Sequence, residues 1–384
     1  MAFISLGKID KNMIPIIVGC IFVILFEILF LIVDNTLSQH LVIIYLYAVI
    51  SKLLIFIPFV ILKIRSKKVN GKPEIKDDFN VIEYIYIDNR KEINKNKYLY
   101  ILLSSTLHFV SGIIQIQTFG MKVNSWIWDI IFYSLFYYLI FKTKIYNHHY
   151  LCIIIIIIVG FILDISLENF QEDFKNNWYK VLLRMLREIL YSFQGVINKY
   201  IMDKKYCSVY ELLSFTGLFS LIFLGIYILL DYFFIHLDNL KEYFNNFDYR
   251  DLLTCVGLII AAAGLDLSSL FTIKKNTPCH LFIIGEFMTV FENLFYLTEQ
   301  LNTTNLIIMI ICYIIIFFFS LVFNEIIEIN CFGLSANTRK NIMKRAKIEN
   351  LANIKCELFD YISEENRSSS LRMEMNDDDN SLIK

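Results

Sequence analysis

The segment HHYLCIIIIIIVGFILDIS, residues 148–166, contains six consecutive isoleucines and one residue that is charged at pH 7, Asp164. A helix needs about 20 predominantly apolar residues to cross a bilayer core that is about 30 Å thick. The segment meets this requirement, because its apolar residues follow one another almost without interruption. It therefore predicts a membrane-spanning helix, and the same criterion can be applied to the rest of the chain.

The composition of the whole chain agrees with a membrane protein. The 384 residues are 57% hydrophobic and 19% charged, whereas a typical soluble domain is about 25% charged. So few polar residues exclude a soluble protein of this size, and with it the soluble enzymes. The net charge of −1 also argues against binding of nucleic acid, which requires a concentrated basic surface.

The length criterion identifies ten predicted spans. The sixth, at 181–201, is the least apolar, because Arg184, Arg187 and Glu188 lie near one of its ends. A charge costs about 2.5–3.5 kcal/mol at the centre of a membrane helix and less near its ends, so hydropathy alone would also allow a surface helix here. The ten predicted spans are residues 13–33, 40–62, 98–119, 123–141, 148–166, 181–201, 210–234, 252–273, 279–298 and 304–323.

The distribution of basic residues between the loops favours ten spans. With ten spans and a cytosolic N-terminus, the pairs Lys204/Lys205 and Lys274/Lys275 both face the cytosol. Without the sixth span both pairs would face outside, against the general excess of Lys and Arg in cytosolic loops. The prediction is an all-α polytopic membrane protein with ten transmembrane helices and both termini in the cytosol.

Ten spans divide into two halves of five. Because five is odd, the second half enters the membrane inverted relative to the first, as in the inverted repeats of secondary transporters. Apolar residues at helical spacing predict a short helix at about 337–361, and the acidic, Ser-rich chain beyond about 363 predicts disorder. The predicted organisation is a cytosolic tail at 1–12, a first repeat at 13–166 with a cytosolic loop at 63–97, an outside connector at 167–180, a second repeat at 181–323 and a cytosolic tail at 324–384.

Polar residues of the third predicted span share one helical face, because they are separated alternately by four and three residues. One explanation is hydrogen bonding between helices, worth about 0.6 kcal/mol per contact. The other is that the stripe lines a water-filled cavity, since polar groups within membranes often mark transport pathways. The residues are Ser104, His108, Ser111, Gln115 and Thr118.

Spans of the second half carry further polar groups. Asp266 lies well inside its span and needs a partner, a proton or water. The guanidinium group of Arg187 matches the geometry of a carboxylate or phosphate, and it shares a helical face with other polar residues. The predicted substrate-binding residues of the whole chain are His108, Ser111, Gln115, Arg187, Gln194, Asn198, Asp266, Glu286 and Asn293.

The remaining charges within the spans have two interpretations. Arg184 stands four residues before Glu188, so the two can form a purely structural pair, and Lys52 can pair with Glu27 in the same way. Alternatively, an intramembrane carboxyl group that binds and releases a proton would couple transport to a proton gradient. The residues assigned to coupling or to structural charge are Glu27, Lys52, Asp129, Arg184 and Glu188.

Motifs of enzymes and metal sites are absent from the sequence. There is no Walker A, HExxH or GxSxG motif, and the eight cysteines form no CxxC pair. Cysteines within apolar runs behave as small hydrophobic residues. We therefore expect no enzymatic activity, no bound metal and no cofactor.

The end of the sixth span and the start of the seventh read NKYIMDKKYCSVYELLSFTGLF, residues 198–219. This segment resembles the drug/metabolite transporter superfamily, in particular the nucleotide-sugar-transporter-like solute carriers of eukaryotes. In that group a Lys-Tyr pair and a basic loop precede a Ser-Pro-Tyr-Glu-like start of the seventh helix. The corresponding residues are Lys199, Tyr200, Lys204, Lys205, Ser208, Val209, Tyr210 and Glu211, with Val209 in place of the usual proline.

The resemblance implies a ten-helix carrier that works by alternating access, with a substrate site between the two halves. It also implies an integral, multi-pass protein of a eukaryotic endomembrane or plasma membrane. The Gly-Ala-Leu-Asn-Lys motif of GDP-mannose carriers is absent from the ninth span, so a nucleotide-sugar substrate is not implied.

The sequence as a whole predicts a secondary active transporter that operates by exchange or by proton coupling. Its predicted substrate is a small polar metabolite, either neutral or anionic. The alternative is a polytopic receptor or scaffold that transports nothing and acts through its cytosolic loop and tail. The expected partners are membrane lipid and a small-molecule substrate, with no nucleic acid, and a homodimer remains open.

Overall fold

The fold is known from a computed structural model. It describes residues 4–6, 13–37, 41–68, 96–118, 125–166, 169–205, 207–230, 249–297 and 303–330, together with 334, 338 and 341–342. Most of the cytosolic loop predicted at 63–97, and the tail beyond 342 with its predicted helix and disordered end, lie outside the described residues.

The architecture is all-α, and each of the ten segments predicted as spans contains helix in its described residues. A short 3-10 helix precedes α5, at Ser125–Trp128, and another precedes α10, at Pro278–His280. The α-helices are α1 (Ile14–Leu37), α2 (Leu41–Leu54), α3 (Phe56–Lys68), α4 (Lys97–Gln117), α5 (Asp129–Phe141), α6 (Asn147–Ser166), α7 (Asn169–Lys204), α8 (Val209–Leu230), α9 (Tyr249–Lys275), α10 (Leu281–Leu297) and α11 (Thr303–Phe323).

Several helices are long and apolar enough to cross a membrane. Among the described residues, five meet that criterion over at least 18 residues, and four further apolar stretches are shorter. The chain is therefore an integral, multi-pass membrane protein. The five long stretches are Lys97–Gln115, Asn147–Ile165, Val209–Leu229, Leu253–Lys275 and Thr303–Phe323.

The second predicted span is broken into two helices, α2 and α3. The break lies at Ile55, between Leu54 and Phe56. Pro58 explains it, because a proline ring clashes with the carbonyl group four residues earlier, which here belongs to Leu54, and offers no N–H to it. The break leaves Lys52 in the last turn of α2.

Part of the connector predicted at 167–180 is helical, because α7 already begins at Asn169. Asn177 has non-helical backbone angles (φ −143°, ψ 40°), so a short helical stretch precedes the predicted sixth span and meets it at a kink. The length criterion considers only apolar residues, and for that reason it did not detect the polar first turns of this helix.

The closest packing joins helices of one predicted half to helices of the other. Gly264 of α9 faces the ring of Phe22 of α1, and Gly217 of α8 faces Lys52 of α2. Small residues at such positions allow helix axes to approach closely. The most extensive contacts are between α1 and α9, α4 and α7, α6 and α11, α2 and α8, α4 and α8, α5 and α7, α1 and α10, and α2 and α9.

Two short strands join the ends of the helical bundle. β1 (Ile4–Leu6) precedes α1, and β2 (Ile327–Ile329) follows α11; they pair antiparallel, with Ser5 opposite Glu328. The chain thus enters and leaves the bundle at the same end.

Candidate functional site

A cavity of about 70 Å³ lies between helices of the two predicted halves. Because roughly 10–15 Å³ suffices for one water molecule, the cavity can hold several waters or a very small solute. The first half contributes residues of α2, α4 and α5, and the second half residues of α7, α8, α9 and α10. The polar side chains used below are Lys52, His108, Tyr133, Gln194, Asn198 and Asp266.

An ion pair across the two halves forms part of the cavity wall. Nζ of Lys52 lies 2.9 Å from Oδ2 of Asp266 and donates to the backbone oxygen of Ala48 at 3.3 Å. Ser51 also donates to Oδ2 of Asp266, at 3.4 Å. The Lys52 side chain is buried, whereas that of Asp266 keeps about 30% of its surface exposed. The partner of Lys52 is therefore Asp266 and not Glu27, which is buried in α1.

Three polar atoms of the cavity lining lack a hydrogen-bond partner within the described part of the chain. They are Nε2 of His108, Oε1 of Gln194 and the hydroxyl group of Tyr133. Gln194 is 8% exposed and Tyr133 is 1% exposed, so bulk water does not satisfy them. Because buried polar groups are nearly always hydrogen-bonded in proteins, these atoms are candidates for bonding to a molecule in the cavity.

Other polar residues of the predicted stripe donate hydrogen bonds to protein atoms. Ser104 donates to Oδ1 of Asn198 at 2.6 Å and so joins α4 to α7. Ser111 donates to the backbone oxygen of His108 at 2.8 Å, and Thr118 bonds within its own helix to Ile114. The stripe of α4 thus contains one bond between helices, made by Ser104, and one residue that lines the cavity, His108.

A second polar cluster connects α4, α5 and α7 away from the cavity lining. Nη1 of Arg187 lies 2.7 Å from Oε1 of the adjacent Glu188, and Nη2 lies 3.5 Å from Oε1 of Gln115. Ser192 donates to Oδ1 of Asp129 at 3.0 Å. Glu188 is thus paired with its neighbour Arg187, and its predicted pairing with Arg184 stays a prediction. Arg187 and Gln115 are absent from the residues that line the cavity.

Glu286, one of the two predicted residues of α10, is absent from the residues that line the cavity. Glu286 is fully buried and accepts a hydrogen bond from Ser320 of α11 at 2.6 Å, so its contact joins two helices of the second half. Asn293 belongs to the same helix, but its side chain lies outside the described residues.

The predicted cytosolic end of the bundle contains a buried ion pair between the halves. Nζ of Lys97 lies 2.9 Å from Oε1 of Glu211, and Cys207 approaches Oε2 of Glu211 at 3.5 Å. Lys199 of α7 pairs with Asp203 at 3.1 Å and donates to the backbone oxygen of Lys274 in α9 at 2.9 Å. These contacts tie α4 to α8 and α7 to α9 at one end.

Three side chains of the kinds that bind metal ions lie together near the end of α11, and the sequence did not predict this group. His148, His149 and Glu325 bring one ligand atom each to within 4.8 Å of one another. However, the backbone N–H of Tyr146 donates to Nδ1 of His149 at 3.1 Å, which places the proton of a neutral ring on Nε2, the atom that would have to bind the metal. The arrangement therefore matches His–Glu pairing better than a metal site, and Nε2 of His148 lies 3.2 Å from Oε1 of Glu325.

Sequence reasoning missed two features of the site. Lys97 was assigned to the end of the solvated loop, but it is the first residue of α4 and is 0% exposed. Glu211 and Ser208 were noted only as part of the family resemblance. The hydroxyl group of Ser208 accepts a hydrogen bond from the backbone N–H of Glu211 at 3.1 Å and so caps the start of α8. The pattern Ser-x-x-Glu is a known helix-start signal and could have located this turn, whereas the pairing with Lys97 leaves no local signal.

The sequence was compared with protein families and with curated proteins. No protein-family model matches the chain, and no curated protein matches it. The functional argument therefore depends on the residues and their geometry.

Proposed function

We propose that this protein is a secondary transporter that moves a small polar metabolite across a membrane by alternating access. The observation that carries the proposal is the cavity between the two halves, which contains an ion pair and buried polar atoms without partners. Polar groups are costly within a membrane and are retained where they serve a pathway. A bundle that served only as a scaffold would be more stable with an apolar, closely packed interior.

The packing of the helices supports an inverted repeat of two five-span halves. The spans that stand five places apart are α1 and α7, α2 and α8, α4 and α9, α5 and α10, and α6 and α11. When each helix is exchanged for its counterpart, the contact between α1 and α9 becomes the contact between α7 and α4. In the same way the contact of α5 with α7 becomes that of α10 with α1, and the contact of α2 with α9 becomes that of α8 with α4. Such an exchange relation is expected of two similar halves related by a two-fold axis, the arrangement on which many transporters are built.

The pairing of β1 with β2 supports an even number of membrane crossings. A chain whose ends meet at the same end of the bundle must cross the membrane an even number of times between Leu6 and Ile327. Ten crossings satisfy this condition, and the basic loops favour the cytosol for both ends. The least apolar helix, α7, then counts as a span, and its Arg187 reaches Gln115 of α4 while it also pairs with Glu188 of its own helix.

Alternating access requires that the halves separate first at one end and then at the other. The pair Lys97–Glu211 closes one end by joining α4 to α8. The Arg187–Gln115 contact joins α7 to α4 on the other side of the cavity, and its 3.5 Å separation makes it the weaker contact. We therefore assign the described conformation to a state closed at the Lys97 end.

Reconstitution into proteoliposomes tests the proposal. Vesicles with the purified full-length chain are loaded with a pool of polar metabolites and assayed by mass spectrometry for exchange, with and without a pH gradient. We expect exchange of at least one compound that empty vesicles do not show, and a loss of that exchange in the variant Gln194→Leu. If no compound exchanges under either condition, the transport proposal is wrong.

A further inference from the structure

The charges of the cavity identify the class of solute that it can hold. Among the described residues that line it, Lys52 is the one lysine or arginine and Asp266 is the one carboxylate. His108 also lines the cavity, and an imidazole is mostly neutral at pH 7. Lys52 and Asp266 lie 2.9 Å apart, so together they neutralise one another. A solute with two negative charges would leave a net negative charge in a poorly hydrated space, which is costly.

Each member of the ion pair retains bonding capacity toward the cavity. An ammonium group has three donors, and Lys52 uses its donors on Asp266 and on the backbone oxygen of Ala48. The contacts of Asp266 with Lys52 and Ser51 both fall on Oδ2. Within the described part of the chain, Oδ1 of Asp266 and one proton of Lys52 are thus available to a solute.

The other lining residues add a neutral polar face and an apolar face. Oε1 of Gln194 accepts hydrogen bonds only, whereas the hydroxyl group of Tyr133 can also donate, and both lack partners. The apolar face includes Leu213, Leu270 and Ile273. This combination matches a molecule that has a cationic group, an anionic group and a small apolar part.

We infer that the cavity binds a small zwitterion of the α-amino-acid type, whose carboxylate is bound by Lys52 and whose ammonium group is bound by Asp266 and Gln194. A small zwitterion is thus the substrate class of the proposed transporter. Transport of this solute rests on the proposed function, whereas its binding to the cavity does not. The cavity of about 70 Å³ corresponds to roughly five waters, and so to a solute about the size of alanine or serine.

Binding and exchange by the full-length protein test the inference separately. The probes are alanine and serine as zwitterions, lactate and inorganic phosphate as anions, and putrescine as a cation. Binding is measured as the ligand-induced rise in Tm of the protein in detergent, and exchange is measured in proteoliposomes. We expect alanine and serine to raise the Tm and to exchange, and phosphate to do neither.

Variants of the ion pair make the test specific. The double variant Lys52→Gln/Asp266→Asn removes both charges together, so it leaves no unpaired buried charge and should fold. We expect its alanine affinity to fall at least tenfold. Lys52→Gln alone should shift preference toward putrescine, and Asp266→Asn alone toward lactate. The control is Lys144→Gln, which removes a charge from an exposed side chain between α5 and α6 and should bind as the wild type does.

The outcomes separate the two proposals. If phosphate or putrescine exchanges and the zwitterions do not bind, the zwitterion inference is overturned while transport stands. If the zwitterions bind through the ion pair but no compound exchanges, the binding site stands and the transport proposal falls. If alanine binds equally well to the wild type and to the double variant, the assignment to Lys52 and Asp266 is wrong.

Discussion

Lys97 and Glu211 form an ion pair of 2.9 Å between the first turn of α4 and the first turn of α8. Both side chains are buried, so each charge depends on the other for its stabilisation. The pair joins the two predicted halves at one end of the cavity, and its rupture is a required step of the transport cycle that we propose.

Removal of one member of this pair should destabilise the protein strongly. A buried charge that loses its partner costs about 3–5 kcal/mol, whereas an apolar replacement of both partners is often neutral. We expect Lys97→Met to lower the thermal unfolding temperature in detergent and Lys97→Met/Glu211→Leu to restore most of the loss. A double variant that is no more stable than the single one would contradict the pairing.

Gly217 should be required for the close approach of α8 to α2. A Cβ at this position would lie 2.9 Å from Cβ of Lys52 and 3.2 Å from its carbonyl carbon, and backbone atoms cannot move aside easily. We expect Gly217→Ala to cost about 1–3 kcal/mol of stability and to weaken solute binding, because it displaces Lys52. Both effects can be measured by thermal unfolding with and without alanine.

Gly225 of the same helix is the matched control. An added Cβ there meets no atom within 4 Å, and alanine favours a helix over glycine by up to about 1 kcal/mol. Gly225→Ala should therefore be neutral or slightly stabilising. Because helix propensity favours alanine at both positions, equal losses at both glycines would contradict the contact with Lys52 as the cause of the loss at Gly217.

Ser104 should stabilise the contact of α4 with α7 through Asn198. Its hydroxyl group donates to Oδ1 of Asn198 at 2.6 Å, and an alanine would leave a buried acceptor unpaired, at a cost of about 1–3 kcal/mol. Thr106→Ala serves for comparison, because that hydroxyl group is exposed and bonds within its own helix. We expect a lower unfolding temperature for Ser104→Ala and little change for Thr106→Ala.

Glu286 should contribute to packing and not to solute binding. Its carboxylate accepts a hydrogen bond from Ser320 and is absent from the cavity lining. Glutamine retains an oxygen that can accept this bond, so we expect Glu286→Gln to keep exchange in proteoliposomes within about twofold of the wild type. A loss of stimulation by a pH gradient in this variant would instead assign proton coupling to Glu286.

Helix positions could be predicted from the sequence because a membrane helix requires a long apolar run, which is visible in the local sequence. A run such as residues 148–166 is apolar over nearly its whole length, and α6 covers 147–166. The break at Ile55 and the early start of α7 at Asn169 were missed, since they depend on one proline and on polar helical turns that a length criterion ignores.

Parts of the candidate site could also be anticipated. His108, Gln194, Asn198 and Asp266 were selected because polar groups within a span are costly, and all four line the cavity. The same argument selected Arg187 and Glu286, which instead contact Gln115, Glu188 and Ser320. The cost of burial identifies a polar group that needs a partner, but it does not say whether that partner is protein or solute.

The sequence by itself determined that the chain lies in a membrane and where its helices run, because the hydrophobic effect acts on each apolar run separately. Only the tertiary structure decided that Lys52 pairs with Asp266, 214 positions away in the chain, and that Lys97 is buried against Glu211. Such pairings depend on which helix faces which, and that choice follows from packing across the whole bundle. The function that we propose depends on those long-range contacts.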